Sequence, residues 1–180
     1  MILYHGSENI IEVPLYGKGS THNDYGRGFY CTEHEELAKE WACSNNHNGF
    51  ANKYAFNMDG LNVLHLNSEK YNLLNWLAVL TRNRTYWENS TVSETAKRYL
   101  AENFMIDTDS YDVIIGYRAD DSYFSFAQDF VAGAISYRQL GDAMRLGKLG
   151  EQVVLMSEKA FGSIKYISNS PADASVYYKK

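Results

Sequence analysis

The stretch YGRGFYCTEHEELAKEWACS, residues 25–44, combines the local signals for a turn, a strand and a helix. Two glycines flank one arginine, and the run that follows predicts a short strand over residues 27–32. Thr32 and Glu35 match a capping box, in which each side chain caps the backbone of the other at a helix start. The apolar stripe of the predicted helix consists of Leu37, Ala38, Trp41 and Ala42.

Length and composition indicate a folded domain of ordinary type. The chain has 180 residues, 45% of them hydrophobic and 22% charged, so it can bury a core without disulfides or metals. We predict a single domain over residues 1–168 and a C-terminal tail over 169–180, of which residues 170–180 fray. The net charge is −5 and no basic stripe is visible, which argues against a broad nucleic-acid surface.

Sorting and metal-binding signals are weak in this sequence. The N-terminus lacks the charged and apolar regions of a signal peptide, and no window is apolar enough to span a bilayer. We therefore expect a cytoplasmic protein without a membrane partner. The two cysteines and five histidines do not have metal-ligand spacing, so we expect no metal.

Short strands and helices alternate along the chain without a regular βαβ period. This arrangement favours the α+β class over a doubly wound sheet. Strands are predicted at 1–5, 27–32, 54–58, 61–66, 111–116, 151–156 and 163–168. Helices are predicted after Thr32 and at 69–82, 92–104, 122–132 and 136–146.

Two segments of the N-terminal half have the residue types of a binding site. His5 ends the first predicted strand, where it can donate a hydrogen bond into a cleft, and Gly6 allows a ligand close to the backbone. Tyr30 offers a ring face after the glycine turn, and Trp41 follows eleven residues later on the helix. A structural histidine and core packing of both aromatic rings remain the alternatives.

A third segment begins the strand EQVVLM near the end of the chain. Glu151 and Gln152 lead this apolar strand, and a charged or amide side chain at the mouth of a buried strand is a usual catalytic position. It is also a usual solvated strand end. Successive side chains of a strand face opposite sides, so only one of the two residues can point into a cleft.

The order LYHGS, GRGFYCT, AKEWA and EQVVL resembles the ADP-ribosyltransferase superfamily. The similarity is to its His-Tyr-Glu branch, which includes the poly(ADP-ribose) polymerases and diphtheria toxin. With YDVIIGYRADD and EQVVLMSEKAF added, the chain looks most like an uncharacterised bacterial family of this superfamily, a domain of unknown function. The resemblance covers about residues 2–168 and implies a split β-sandwich of short strands with flanking helices.

The resemblance also implies NAD as co-substrate and a role for each motif residue. The nicotinamide would lie between the rings of Tyr30 and Trp41, with its amide held by the Gly6 backbone. His5 would bind a ribose hydroxyl with support from Ser7. The remaining cofactor-binding positions are Gly28 for close approach, and Arg27 and Lys18 for the pyrophosphate.

The implied activity is a mono-ADP-ribosyltransferase that moves ADP-ribose from NAD to a macromolecular acceptor, protein or nucleic acid. The catalytic set would be His5, Tyr30 and the inward member of the pair Glu151 and Gln152. A bacterial toxin with a small antitoxin partner fits this activity. If Gln152 faces inward, a non-catalytic module that binds NAD or ADP-ribose is the alternative, and a scaffold that keeps only the fold is a third reading.

Overall fold

A computed structural model describes residues 1–45, 47–84, 90–119, 121–146 and 151–178, without the side chains of 121–123 and 145–146. The described strands are β1 (Ile2–Ser7), β2 (Phe29–Cys31), β3 (Gly49–Phe56), β4 (Val63–His65), β5 (Val113–Tyr117), β6 (Glu151–Leu155) and β7 (Ile164–Ala172). The described helices are α1 (Glu35–Ala42), α2 (Leu73–Asn83), α3 (Thr91–Phe104), α4 (Asp121–Val131), α5 (Tyr137–Leu146), α6 (Glu158–Gly162) and α7 (Ala174–Tyr177).

The strands form two sheets, which confirms the predicted α+β class. The first sheet has the order β1-β3-β7 and is antiparallel throughout. The second has the order β2-β6-β5-β4, and only its β4–β5 pair is parallel. An isolated antiparallel bridge between Tyr4 and Thr32 joins the first sheet to the second. Strand β1 therefore lies where the two sheets meet.

Alternation along β5 and β6 divides the core into two layers. Val113 and Val153 face the first sheet and pack in a cluster with Leu3, Tyr54 and Phe56. Ile114 and Val154 face the other way, toward the helices. The helical layer contributes Trp76, Leu77, Leu80, Leu100 and Leu140 to this second cluster. Because both faces are covered, β5 and β6 are the continuous apolar runs expected of buried strands.

The predicted capping box at the start of α1 is wrong. Thr32 pairs with Tyr4, so its backbone is held in the sheet, and the N-cap is His34, which makes no side-chain cap bond. The Thr32 hydroxyl accepts a hydrogen bond from the His34 N–H at 3.2 Å. Glu35 accepts from the hydroxyl of Ser170 at 2.6 Å instead of reaching back. The pairing with β1 thus outcompetes the local capping signal.

The C-terminal segment is ordered further than the sequence predicts. Strand β7 continues to Ala172, which pairs with Gly49, so the predicted boundary at residue 168 falls inside a strand. Asp173 then caps α7 by accepting from the Ser175 N–H at 2.8 Å. Residues 170–172 and 174–177, within the segment expected to fray, therefore belong to β7 and α7. Among the described helices, none has the length and apolar character needed to cross a membrane.

Candidate functional site

A cavity of about 500 Å³ lies at the edge of the second sheet, beside the N-terminal loop. Segments that are far apart in the chain contribute to its wall: β1, the loop over residues 11–28, α1, and the ends of α2, β5 and β6. Of the predicted site residues, the wall contains His5, Lys18, Gly28, Tyr30, Trp41 and Gln152. Gly6, Ser7, Arg27 and Glu151 do not line it.

Strand register places Tyr30 and Gln152 on one face of the second sheet. Tyr30 pairs with Val154, and Gln152 lies two residues before Val154 in the same strand. Residues two apart in a strand project to the same side, so the Gln152 side chain follows that of Val154. On the neighbouring strand Gly116 is opposite Gln152. A Cβ atom at Gly116 would lie 2.2 Å from the Tyr25 hydroxyl, so this glycine makes room for Tyr25 on the sheet.

Glu151 has the opposite orientation to Gln152. Its side chain is exposed, and it accepts a hydrogen bond from Asn67 Nδ2 at 2.9 Å. Gln152 is only 4% exposed and lines the cavity. The sequence left open which of the two residues faces inward. The structure places the Gln152 side chain inward.

Tyr30 is fixed by its hydroxyl as well as by packing. The hydroxyl donates to the carbonyl oxygen of Gly26 at 2.7 Å and accepts from the Tyr25 N–H at 3.0 Å. Gly26 has a φ of 80°, a left-handed conformation that favours glycine. Burial raises the pKa of Tyr30 well above its ordinary value, so the phenol stays protonated and can donate. The ring is thus tied to the turn that precedes its own strand.

His5 lies in the wall with a defined tautomer. Its Nδ1 is 2.7 Å from the Tyr30 carbonyl oxygen, which can only accept, so Nδ1 carries the proton. The ring stacks on Phe29 with the centroids 4.2 Å apart. Burial lowers the pKa of His5, although the hydrogen bond to Tyr30 acts in the other direction. At neutral pH the imidazole is therefore neutral, and Nε2 is an acceptor for a ligand donor.

Gly6 lies behind the wall and brings β1 against α1. A Cβ atom at Gly6 would lie 1.9 Å from the Ala38 carbonyl oxygen and 2.9 Å from Trp41 Cβ. The backbone N–H and C=O of Tyr4 bond Thr32, on the edge of β1 that faces away from β3. In an antiparallel strand, residues two apart present these groups to the same edge, and Gly6 is two residues after Tyr4. Gly6 therefore directs its backbone polar groups toward the junction of the sheets.

The Ser7 side chain bonds neighbouring protein groups and does not line the cavity. Its hydroxyl donates to the Asn9 carbonyl oxygen at 2.6 Å and accepts from Asn52 Nδ2 at 3.0 Å. Asn52 is fully buried, and its Oδ1 accepts from the Ile11 N–H at 3.0 Å. This network holds the loop that follows β1. Ser7 thus supports the site through the loop.

The two predicted pyrophosphate residues differ in position. Lys18 lines the cavity, whereas Arg27 is exposed and lines a separate hollow of about 90 Å³ with Tyr16 and Phe161. Gly28 borders both spaces. A Cβ atom there would lie 2.6 Å from Val154 Cγ1, so Gly28 is also required for packing against β6.

Sequence reasoning named Lys18 but missed three other charged residues of the wall, Asp24, Arg84 and Arg118. Asp24 is 5% exposed, and its carboxylate accepts from Arg84 Nε at 2.8 Å and from Gln152 Nε2 at 2.8 Å. Arg118 also lines the cavity, with its guanidinium 5.6 Å from the centre of the Trp41 ring. Asp24 was visible in the sequence only as a turn former, because its partners lie 60 and 128 residues away.

The balance of charge suits an anionic ligand. Among the described residues, Lys18, Arg84 and Arg118 line the cavity together with one carboxylate, that of Asp24, although the whole chain has a net charge of −5. Aromatic rings beside fixed cations are typical of sites for aromatic bases joined to phosphates. Within the described ranges, no group of three His, Cys, Asp or Glu side chains could hold a metal ion.

Comparison with known proteins identifies the family of the chain but not an activity. Searches of the curated proteins and of the solved structures each found no significant match. The family match covers nearly the whole domain, and it agrees with the predicted resemblance to a family of unknown function. The chain belongs to the family described as "Protein of unknown function (DUF3990)", whose family model matches residues 1–166.

Proposed function

We propose that this protein is an NAD-dependent mono-ADP-ribosyltransferase. The observation that carries the proposal is the convergence of His5, Tyr30, Trp41 and Gln152 on one cavity, from three distant motifs of the sequence. These are the same motifs whose residues resemble those of the ADP-ribosyltransferases.

The size and lining of the cavity support a dinucleotide as the ligand. A volume of about 500 Å³ lies within the usual range for small-molecule sites. In this proposal the nicotinamide stacks on Tyr30 and Trp41, and the acceptor Nε2 of His5 takes a ribose hydroxyl. Lys18 and Arg118, two cations of the wall, would bind the pyrophosphate, because a fixed positive charge offsets the phosphate charge.

The proposed reaction breaks the bond between the nicotinamide nitrogen and C1′ of the ribose. The nicotinamide leaves as a neutral base with the electron pair, and positive charge develops on the ribose, as in glycoside hydrolysis. An oxygen or nitrogen nucleophile of the acceptor then forms a new bond to C1′ and releases its proton to solvent. A macromolecule, protein or nucleic acid, is the proposed acceptor, and a toxin with a small antitoxin partner is the proposed biological setting.

The inward position of β6 is assigned to Gln152 in this proposal. Glu151 is exposed and bound to Asn67, and it does not line the cavity, so its carboxylate is not placed to stabilise charge there. The amide of Gln152 can orient a ribose hydroxyl, but it provides no negative charge for the transition state. We therefore expect slower turnover than a carboxylate at this position would give.

Two observations at the same site favour a second function. The uncharged Gln152, and the compensation of Asp24 by Arg84 at 2.8 Å, fit a module that binds NAD or ADP-ribose without cleaving it. Both functions share the ligand and the wall residues. Only turnover separates them.

The test is nicotinamide release from NAD by the purified protein, with bacterial protein and RNA supplied as acceptors. We expect release by the wild type, loss of release in Gln152→Ala, and little change in Glu151→Ala, which alters the exposed neighbour of the same strand. NAD binding by calorimetry without release in any mixture would favour the binding module. Absence of both binding and release would refute both functions.

A further inference from the structure

The carboxylate of Asp24 is the centre of a buried network in the cavity wall. Oδ1 accepts a hydrogen bond from Arg84 Nε at 2.8 Å and forms an ion pair with Arg84 Nη2, also at 2.8 Å. Oδ2 accepts from the Ala119 N–H and from Gln152 Nε2, also both at 2.8 Å. Asp24 is 5% exposed and Gln152 4%, so these bonds are shielded from water. A buried carboxylate is tolerated only with such a set of partners.

The network fixes which way the Gln152 amide points. Its nitrogen contacts two groups that can only accept, the Asp24 carboxylate at 2.8 Å and the Tyr117 carbonyl oxygen at 3.1 Å. The reversed amide would put Oε1 beside a negatively charged oxygen and lose both bonds. The orientation therefore follows from the partners, although amide nitrogen and oxygen are hard to tell apart by shape.

The remaining polar atom of this side chain is Oε1. Over the part of the chain that the structure describes, no residue donates a hydrogen bond to Gln152 Oε1, and the side chain lines the cavity. Arg84 is held in turn, since its Nη2 donates to the Ala119 carbonyl oxygen at 2.7 Å. A chain of oriented bonds thus runs from Arg84 through Asp24 to Gln152.

We propose that Asp24 is a positioning residue, which orients Gln152 so that the cavity offers a hydrogen-bond acceptor and selects a ligand with a hydroxyl at that point. This inference rests on the proposed function, in which the hydroxyl belongs to the nicotinamide ribose of NAD. Without the Asp24 carboxylate the amide can rotate, and the site offers a donor as readily as an acceptor. A ligand group that can only accept should then bind there as well as a hydroxyl, which can donate or accept.

The first experiment needs no ligand. NMR of the free protein should show two side-chain amide protons of Gln152, identified by their loss in Gln152→Ala, that exchange slowly with water. Asp24→Asn should shift these signals and speed their exchange. The control is Asp112→Asn, which changes another carboxylate that accepts from a backbone N–H and a hydroxyl but lies away from the cavity. Unchanged Gln152 signals in folded Asp24→Asn would overturn the inference.

A second variant covers the case in which Asp24→Asn does not fold. Gln152→Glu brings two carboxylates together in one pocket. Among the described residues, the other ionisable side chains in or beside this pocket are His5, Lys18, Tyr25, Tyr30, Arg84 and Arg118. Such a pair shares a proton, so the folded state binds more protons than the unfolded state. Stability of Gln152→Glu should therefore fall as the pH rises above about 4.3, the ordinary value for Glu. A pH profile like that of wild type would contradict the close contact.

The third experiment concerns the ligand. We expect the wild type to bind NAD about ten-fold more tightly than the analogue whose nicotinamide ribose carries fluorine, which cannot donate, in place of the 2′-hydroxyl, because one hydrogen bond supplies about this ratio. Asp24→Asn should reduce this ratio to near one, whereas Asp112→Asn should keep it. Equal binding of both ligands by the wild type would overturn the selectivity. If the wild type binds neither, the proposed function fails, and the Asp24 contact is still decided by the NMR experiment.

Discussion

The hydroxyl of Tyr30 donates to the carbonyl oxygen of Gly26 at 2.7 Å, so a candidate site residue also closes the turn before its own strand. The same hydroxyl accepts from the Tyr25 N–H at 3.0 Å. Asp24, which contacts Gln152, is the residue before Tyr25 in this turn. The position of the carboxylate therefore depends on the ring on the other side of the turn.

Substitution of Tyr30 separates these two roles. Tyr30→Phe keeps the ring but leaves two buried backbone groups without their partner, so we expect about 1–3 kcal/mol lower stability toward urea. Its NAD affinity should stay near that of wild type. Tyr30→Ala should also weaken NAD binding by roughly 1–3 kcal/mol, because a stacking surface is lost.

The control for the hydroxyl is Tyr16→Phe, since Tyr16 is exposed and outside the turn. It should unfold at the wild-type urea concentration. Equal stability of Tyr30→Phe and Tyr16→Phe would contradict the tethering role. Equal NAD affinity of Tyr30→Ala and Tyr30→Phe would contradict stacking.

Trp41 should matter for binding more than for folding. The ring is partly exposed at the cavity and has the Arg118 guanidinium 5.6 Å from its centre. We expect Trp41→Ala to weaken NAD binding by roughly 1–3 kcal/mol, measured by calorimetry, through loss of stacking. The matched control is Tyr99→Ala, an exposed aromatic residue on α3 outside the cavity. If both variants bind NAD like wild type, the stacking role of Trp41 is wrong.

His5 should make the fold sensitive to acid. Its pKa in the folded state is lowered by burial below the ordinary value of 6.5, so the unfolded chain binds a proton that the folded chain does not. The free energy of unfolding should therefore fall as the pH drops below 6.5 and level off below the folded-state pKa. Urea titrations at about pH 7.5 and about pH 5 measure this difference.

Two histidine variants isolate this effect. His5→Gln should remove part of the acid-induced loss of stability, whereas His22→Gln, at an exposed loop position, should leave it unchanged. NMR titration of the His5 ring should give a midpoint below 6.5. A midpoint above that value would show that the hydrogen bond to Tyr30 outweighs burial.

Gly6 should be needed for folding, whatever its role toward a ligand. A Cβ atom would lie 1.9 Å from the Ala38 carbonyl oxygen, so Gly6→Ala must push β1 away from α1. We expect a loss of at least about 1–3 kcal/mol in urea unfolding, as for other overpacked sites. Gly162→Ala is the control, because a Cβ atom there meets nothing within 4 Å. Similar stability of the two variants would contradict the close packing.

The sequence predicts β5, β6 and the longer helices well, because their signals are local. It predicts only the end of β3, since the strand was expected at 54–58 and extends over Gly49–Phe56. YDVIIG, residues 111–116, is an apolar run stopped by a glycine, and β5 (Val113–Tyr117) overlaps most of it. The start of α1 could not be predicted, since the pairing of Thr32 with Tyr4 joins residues far apart in sequence. Strand β7 was predicted too short for the same reason, because its last residues pair with Gly49 and Phe50.

Part of the candidate site could be predicted from the sequence and part could not. Motifs that resemble a known family pointed to His5, Tyr30 and Trp41, and all three line the cavity. The choice between Glu151 and Gln152 depends on strand register, which only the structure provides. The Asp24 carboxylate could not be predicted, because nothing near it in sequence indicates a partner as distant as Gln152.

Gly116 restricts which sequences this fold can accept. A Cβ atom there would lie 2.2 Å from the Tyr25 hydroxyl, which donates to the Tyr117 carbonyl oxygen at 2.6 Å. A larger residue at 116 must displace the ring at 25, and with it the neighbouring Asp24. Positions 25 and 116 should therefore vary together among relatives of this chain, although neither lines the cavity. Their covariation would identify residues that hold the site in place, which a list of wall residues would miss.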